Sequence, residues 1–225
     1  MSADLNYVQT ILLRRDPADP ASHLDSIAAA ATAAVLAYLY DLEAGWGMEN
    51  WNNWYRDSQA KTTRRAKPSV FERLSAEAVS ESRVGSAAAA AFSPVPPADV
   101  PSAVSRLQVS GTEMPRTAAT GPAGACGAII VLNGSLGMST GKSCAQAAHA
   151  LLEWVRNGAR REFGKPVISG RIKQWAKDGY GVRIHEADAE DFIRLQGGRT
   201  PHSLIHDHGH TEIAPGTATA FVLGF

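Results

Sequence analysis

The sequence predicts an α/β layer architecture, built twice within the chain as two similar domains. Three observations predict it. Short β-like apolar runs alternate with longer helical patterns; the strand–loop–helix opening of residues 1–120 returns after residue 121; and a stretch rich in Gly, Pro and small residues separates the two.

The first domain, residues 1–120, opens on VQTILLRR (Val8–Arg15), a β-like run. A Pro/Asp loop follows, then an alanine-rich helix from about Leu24 to Glu43. FSPVPPADVP (Phe92–Pro101) is proline-rich, and TEMPRTAATGPAGACG (Thr112–Gly127) reads as a linker, which sets the boundary near residue 120. The second domain, residues 121–225, opens on GAIIVLNG (Gly127–Gly134), with a strand at Ala128–Leu132. A helix over Ser143–Phe163 follows a Gly/Ser loop, then a short helix at Ser169–Lys177 and a strand at Val182–Glu186. A short helix at Ala189–Gln196 and strands at Ser203–His206 and Ala218–Gly224 complete the pattern.

Further echoes join the halves. RRAKPSVFERL (Arg64–Leu74) is matched with FGKPVISGRI (Phe163–Ile172), and RLQVSGTEMP with LIHDHGHTEIAP. Counting equally from the first strand sets His23 against Lys142, Ile27 against Gln146 and Ala30 against His149. A polar set has become mostly apolar, so the first domain reads as a structural partner.

Hydrophobic content of 44% and charged content of 20% are those of an ordinary globular protein. The first ten residues lack a basic segment and an apolar run, so no secretory leader is expected. Ile27–Tyr40 is too short and too alanine-rich for a membrane span. Two cysteines make no disulfide framework, and a cytoplasmic location is expected. Net charge is zero, which argues against coating nucleic acid by charge alone. Residues 1–120 hold 11 Lys/Arg against 13 Asp/Glu, and residues 121–225 hold 11 against 9. Arg156, Arg160, Arg161, Lys165, Arg171, Lys173 and Lys177 form a basic run that could meet phosphates or simply be solvated.

At helical spacing Lys142, Gln146, His149, Glu153, Arg156 and Arg160 fall on one line, opposite Cys144, Ala148, Leu151, Leu152 and Val155. Such a stripe is often plain solvated surface. Here its helix starts in a Gly-rich loop after a buried strand, where α/β proteins bind ligands and helix N–H groups attract anions. GMSTGKS (Gly137–Ser143) is one residue short between its glycines for a phosphate loop. His206, His208 and His210 share a face if extended and could hold zinc, but Gly209 implies a turn. The other reading puts Asp207 and Thr211 on a loop facing Lys142, where amine, carboxylate and hydroxyl would activate water and steady an oxyanion. No G-x-S-x-G elbow occurs, and Cys144 lies on the apolar side as a small core residue.

MSTGKSCAQAAHA (Met138–Ala150) resembles M-x-x-G-K-x-x-A-Q-x-x-H-A of the second peptidyl-tRNA hydrolase family. IHDHGHTEIAPGT (Ile205–Thr217) is similar to that family's D-x-G-x-T-x-I-A-P-G-[ST] segment. The resemblance covers residues 127–225. It implies a mixed four-stranded sheet flanked by helices, and a metal-independent esterase, without cofactor, acting on peptidyl-tRNA or N-blocked aminoacyl-tRNA. It implies Lys142, Asp207 and Thr211 as the catalytic group, with Gln146 and His149 lining the cleft; beyond the resemblance, Gly141, Arg156 and Arg160 are expected to bind substrate, the two arginines with Arg161 taking over contact with the tRNA. Thr140 stands where the family usually has a lysine and His210 where it usually has arginine, changes that would remove charge facing the tRNA. The alternative is a non-catalytic RNA-binding relative. Family members often form homodimers, so residues 1–120 are expected to supply the partner surface within one chain as a pseudo-dimer, with a homodimer the alternative.

Overall fold

The computed structural model describes residues 7–119, 127–197, 203–209 and 212–224. The first half runs β1 (Val8–Arg14), α1 (His23–Ala44), α2 (Met48–Arg56), β2 (Ala60–Ala66), α3 (Pro68–Ser75), β3 (Ser80–Val84), β4 (Ala87–Ala91) and α4 (Ser102–Ser105). The second runs β5 (Ala128–Asn133), α5 (Thr140–Arg156), β6 (Ala159–Glu162), β7 (Lys165–Ile168), α6 (Gly170–Lys177), β8 (Val182–Ala187), α7 (Ala189–Gly197), β9 (Ile205–His206) and β10 (Ala218–Gly224).

Each half holds a four-stranded mixed sheet of the same topology. The orders are β2-β1-β4-β3 and β8-β5-β10-β9. In both, the first strand pairs parallel with its outer neighbour and antiparallel with its inner one. The parallel pairs require crossovers, which α1–α2 and α5–α6 provide. The duplication is therefore a matter of topology, and it corrects two of the sequence echoes. The counterpart of α3 is α7, so Phe71 and Leu74 match Phe192 and Leu195 rather than anything in Phe163–Ile172. Likewise Thr112–Glu113 follows β4, whereas Glu212 precedes β10.

The helix caps give the better alignment of the two halves. Ser22 caps α1, its Oγ accepting from the Asp25 N–H at 3.1 Å; Ser139 caps α5, its Oγ accepting from the Lys142 N–H at 3.2 Å. On that alignment His23 matches Thr140 and Asp25 matches Lys142, two places from the equal count. These matched first residues touch: His23 Nδ1 lies 2.8 Å from Thr140 Oγ1.

Helix α1 is buried nearly all round, as expected of a helix whose polar groups mark no single face. It is long and apolar enough to cross a membrane, yet most of it lies inside the protein. Its alanines, and the five of β4, permit close approach to sheet and helix alike. Helix α5 packs on α1 with Cys144, Ala148, Leu151, Leu152 and Val155 inward, so one core runs through both halves. The Cys144 thiol, held near the Ser26 carbonyl, is a core group whose burial pushes its pKa up.

Two expectations fail here. Helix α5 stops at Arg156, not Phe163, because the chain turns through Asn157-Gly158. A Cβ on Gly158 would stand 2.6 Å from Ser169 Oγ and 3.0 Å from Ile172, so only glycine lets the chain pass. Beyond it β6 and β7 form a hairpin against α1: Tyr38 OH donates to the Ala159 carbonyl at 3.0 Å, and Arg161 donates to the Leu42 carbonyl. The stretch read as a linker is also fastened down at its start. His23 N–H donates to the Pro115 carbonyl at 2.8 Å, and Met114 N–H donates to Thr140 Oγ1 at 3.0 Å. Thr112 and Met114 are buried.

Candidate active site

The turns at the end of β5 and β9 meet at the start of α5. Lys142, on the first turn of α5, donates from Nζ to Asp207 Oδ1. Asp207 follows β9 and is buried, and every polar atom of it is engaged. Its Oδ1 also accepts from Gln146 Nε2 at 2.8 Å, and its Oδ2 accepts from the Gly209 N–H at 2.8 Å. Its backbone closes the loop, donating to the Thr217 carbonyl at 2.9 Å and accepting from the Gly216 N–H at 2.7 Å. Behind it Thr219 Oγ1 donates to Gln146 Oε1 at 2.7 Å, which fixes which end of the amide faces the acid. A relay thus runs Thr219–Gln146–Asp207–Lys142, and only the amine end remains partly open to solvent. The mouth is pinned by Glu212, whose carboxylate accepts from the Ser139 N–H at 2.9 Å and from Ser139 Oγ at 2.5 Å.

These groups open into a cleft of about 810 Å³, a size typical of ligand sites. Its floor is the polar face of α5: Lys142, Gln146, His149, Glu153 and Arg156. One wall is β9 and the Asp207 loop; the other is β2 with Val109–Thr112, from the first half of the chain. His149 stacks on Trp54, ring centroids 5.8 Å apart and 9° from parallel, and Lys61 Nζ stands 4.0 Å from the Trp54 ring while donating to Gln9 Oε1 at 2.6 Å. Arg156 lies 3.6 Å over the Tyr55 ring.

Lys142, Asp207, Gln146, His149 and Arg156 are therefore brought together. Gly141 also lines the cleft, but its reason for being glycine is packing. A Cβ there would stand 2.4 Å from the buried Thr112 Oγ1. Gly141→Ala is expected to cost about 1–3 kcal/mol through overpacking, read from denaturant unfolding; a midpoint unchanged from wild type would refute that contact. Arg160 is corrected away from the site: it sits on the hairpin, exposed and paired with Glu162 at 2.6 Å, and does not line the cleft. Arg161 is spent on backbone carbonyls. Thr140 does not face solvent either; it is fully buried, accepting from the Met114 N–H at 3.0 Å beside His23. A lysine there would have no water to reach. Thr211 and His210 lie outside the described residues. His206 and His208 are exposed on either side of buried Asp207, and among the described residues no three His, Cys, Asp or Glu side chains gather as a metal site.

Sequence reasoning missed Thr219, Glu212 and the whole contribution of Trp54, Lys61 and Thr112. Thr219 left one signal, a polar residue in an otherwise apolar strand. Glu153, in contrast, was placed on the stripe and does line the floor.

Burial holds the His149 pKa well below its ordinary value, helped by the nearby Lys61, His208 and Lys142. The folded protein keeps this ring neutral while the unfolded chain takes up a proton as pH falls through about 6.5. Stability from this residue is therefore full above that pH and is lost below it. His149→Phe keeps a ring on Trp54 and removes the titration. The fall in unfolding midpoint between about pH 7.5 and pH 5 is expected to shrink in the variant; an unchanged fall would refute the assignment.

Comparison with known proteins adds to the geometry. The family profile described as Peptidyl-tRNA hydrolase PTH2 matches residues 126–224. A peptidyl-tRNA hydrolase of Methanopyrus kandleri is 34% identical over 101 residues, 43% of this chain and 81% of its own. That of Haloquadratum walsbyi is 33% identical over 101 residues, 42% of this chain and 81% of its own. That of Methanocaldococcus jannaschii is 28% identical over 101 residues, 43% of this chain and 83% of its own.

Proposed function

Since the chain belongs, through its second half, to the second peptidyl-tRNA hydrolase family, we propose that it hydrolyses the ester between a peptide, or an N-blocked aminoacyl group, and tRNA. The observation that carries the reading is the Lys142–Asp207 pair, held by Gln146 and Thr219 at the mouth of a cleft large enough for the ester and its flanking groups.

The chemistry follows from charge and position. Water adds to the ester carbonyl, a tetrahedral oxyanion forms, and the ribose oxygen departs with a proton. Asp207 cannot swing: three donors hold it. Its task is to fix the Lys142 ammonium, whose remaining N–H bonds stabilise the oxyanion or the departing ribose oxygen. A carboxylate so occupied orients water only through its neighbours, so Thr211 is assigned to positioning the water or the carbonyl. An aminoacyl ester is activated, and positioning with electrostatics suffices without a covalent intermediate. Asp207, Lys142 and Thr211 are the catalytic group in this reading; Gln146 and Thr219 are positioning residues, and His149, Gly141 and Arg156 border the substrate. The acceptor end of the tRNA would lie toward the open Arg156 side.

The first half stands in this proposal as an intrachain partner, giving a pseudo-dimer that acts as a single chain in the cytoplasm. Incubation of the purified protein with N-acetylaminoacyl-tRNA and a chelator tests the reading. Release of free tRNA is expected. Retention of intact N-acetylaminoacyl-tRNA in a gel shift, with no release, would instead identify a non-catalytic RNA-binding relative.

A further inference from the structure

Among the described residues strand β2 is an edge strand, bonded in its sheet to β1 alone. The pairing runs residue for residue from Val8↔Ala60 to Arg14↔Ala66 without a register shift. Main-chain groups of successive residues then face opposite sides of the strand. The Arg65 N–H donates outward, to the Gln108 carbonyl at 3.0 Å, while the Ala66 carbonyl accepts from the Arg15 N–H on the inner side. By that alternation Lys61 and Thr63 turn their N–H and C=O outward. Both residues line the cleft, with Ala60 and Thr62 between and beside them. Past Thr63 the edge is closed by the 105–110 segment, so the open row is short.

The wall beside this row is polar and incompletely bonded. Thr63 is 6% exposed, lines the cleft, and its Oγ1 has no hydrogen-bond partner among the described residues. Buried hydroxyls are ordinarily satisfied. The wall is also poor in charge. Apart from Lys61, whose amine is directed to Gln9 and Trp54, Ser58–Thr63 offers only small or neutral polar side chains. A phosphate backbone would use cations and N–H donors. A row that alternates donors with acceptors at a two-residue period matches an extended peptide.

We propose that the outer edge of β2 binds the peptide portion of the substrate as an added strand, with Lys61 and Thr63 pairing main chain to main chain. The inference rests on the hydrolase reading and sharpens it: the first half of the chain, which carries none of the catalytic group, selects substrates bearing a peptide over those bearing one blocked amino acid. An extended peptide advances about 3.3 Å per residue, so two or three residues fill the open row.

The test compares kcat/KM for N-acetyltrialanyl-tRNA and N-acetylalanyl-tRNA. The longer substrate is expected to be favoured about tenfold, the worth of one or two net hydrogen bonds. N-methylating the two inner amides of the tripeptide should bring the ratio back toward one, without touching the protein. Thr63→Pro, which removes an outward N–H at an edge where proline is tolerated, should lower the same ratio. A ratio near one in the wild type, or a ratio that N-methylation leaves unchanged, overturns the inference. So does a Thr63→Pro effect that lowers both substrates equally, which would assign the edge to the RNA. Hydrolysis of neither substrate would overturn the hydrolase reading itself and this inference with it.

Discussion

Lys142→Ala is expected to lower kcat on N-acetylaminoacyl-tRNA by roughly two to three orders of magnitude, the usual loss when one preorganised donor to a developing oxyanion is removed. The protein should stay folded. The amine is partly exposed, and the Asp207 carboxylate keeps its bonds from Gln146 and the Gly209 N–H after the substitution. Those bonds limit the penalty of leaving a buried acid without its cation. Asp207→Asn probes the same pair from the other side. It keeps the volume but presents an amide N–H₂ where Lys142 or Gly209 now donates, so the amine loses its fixed position and kcat falls with it. Circular dichroism and single-turnover kinetics on both variants separate this account from simple unfolding. Variants that are folded and near wild-type in rate would remove Lys142 and Asp207 from the mechanism.

Trp54→Ala is expected to give the largest loss of stability, about 3–5 kcal/mol, in a protein whose whole margin is of the order of 5–15 kcal/mol. Trp54 is fully buried and meets Trp51 and Tyr55 edge to face at 5.7 and 4.9 Å. Its Nε1 donates to the Ala60 carbonyl at 2.7 Å, where β2 begins. Its ring also carries His149 and Lys61. Truncation therefore opens a cavity, removes a donor from the Ala60 carbonyl and frees two cleft residues at once. Urea denaturation should show the shift in midpoint. A loss below about 1 kcal/mol, the scale of an ordinary surface change, would mean that the first half does not support the cleft floor.

What the sequence carried well was local. The apolar face of α5 and the strands at Ala128 and Ala218 were readable, because helical periodicity and strand-then-turn patterns are properties of neighbouring residues; the pairing of Lys142 with Asp207, 65 residues apart, was expected only through the two motifs of the family resemblance. Placing Arg160 on the stripe failed because its spacing continued the helical period while Asn157-Gly158 ended the helix. Tertiary contact with Ser169 and Ile172, invisible in a periodicity count, decided that. Pairing His23 with Lys142 failed because the loops before the two helices differ in length, and the cap serines set the true register.

The first half was read as structural alone, and the reason is again physical. Trp54, Lys61 and Thr112 carry no motif. Lys61 and Thr112 enter the cleft, and Trp54 comes to lie beneath His149, only because α1 packs on α5 and swings β2 against the polar face of that helix. Thr140 shows the converse. Its loss of charge relative to the usual lysine looked like weakened RNA contact, but the residue is buried beneath the first half and bonded to His23.

Single-turnover cleavage of N-acetylaminoacyl-tRNA, followed for the wild type and Lys142→Ala side by side, tests the central claim most directly. The account predicts ester cleavage well above the uncatalysed background for the wild type, and at least about a hundredfold slower cleavage for the variant. Equal rates, or a wild type no faster than buffer, would contradict it.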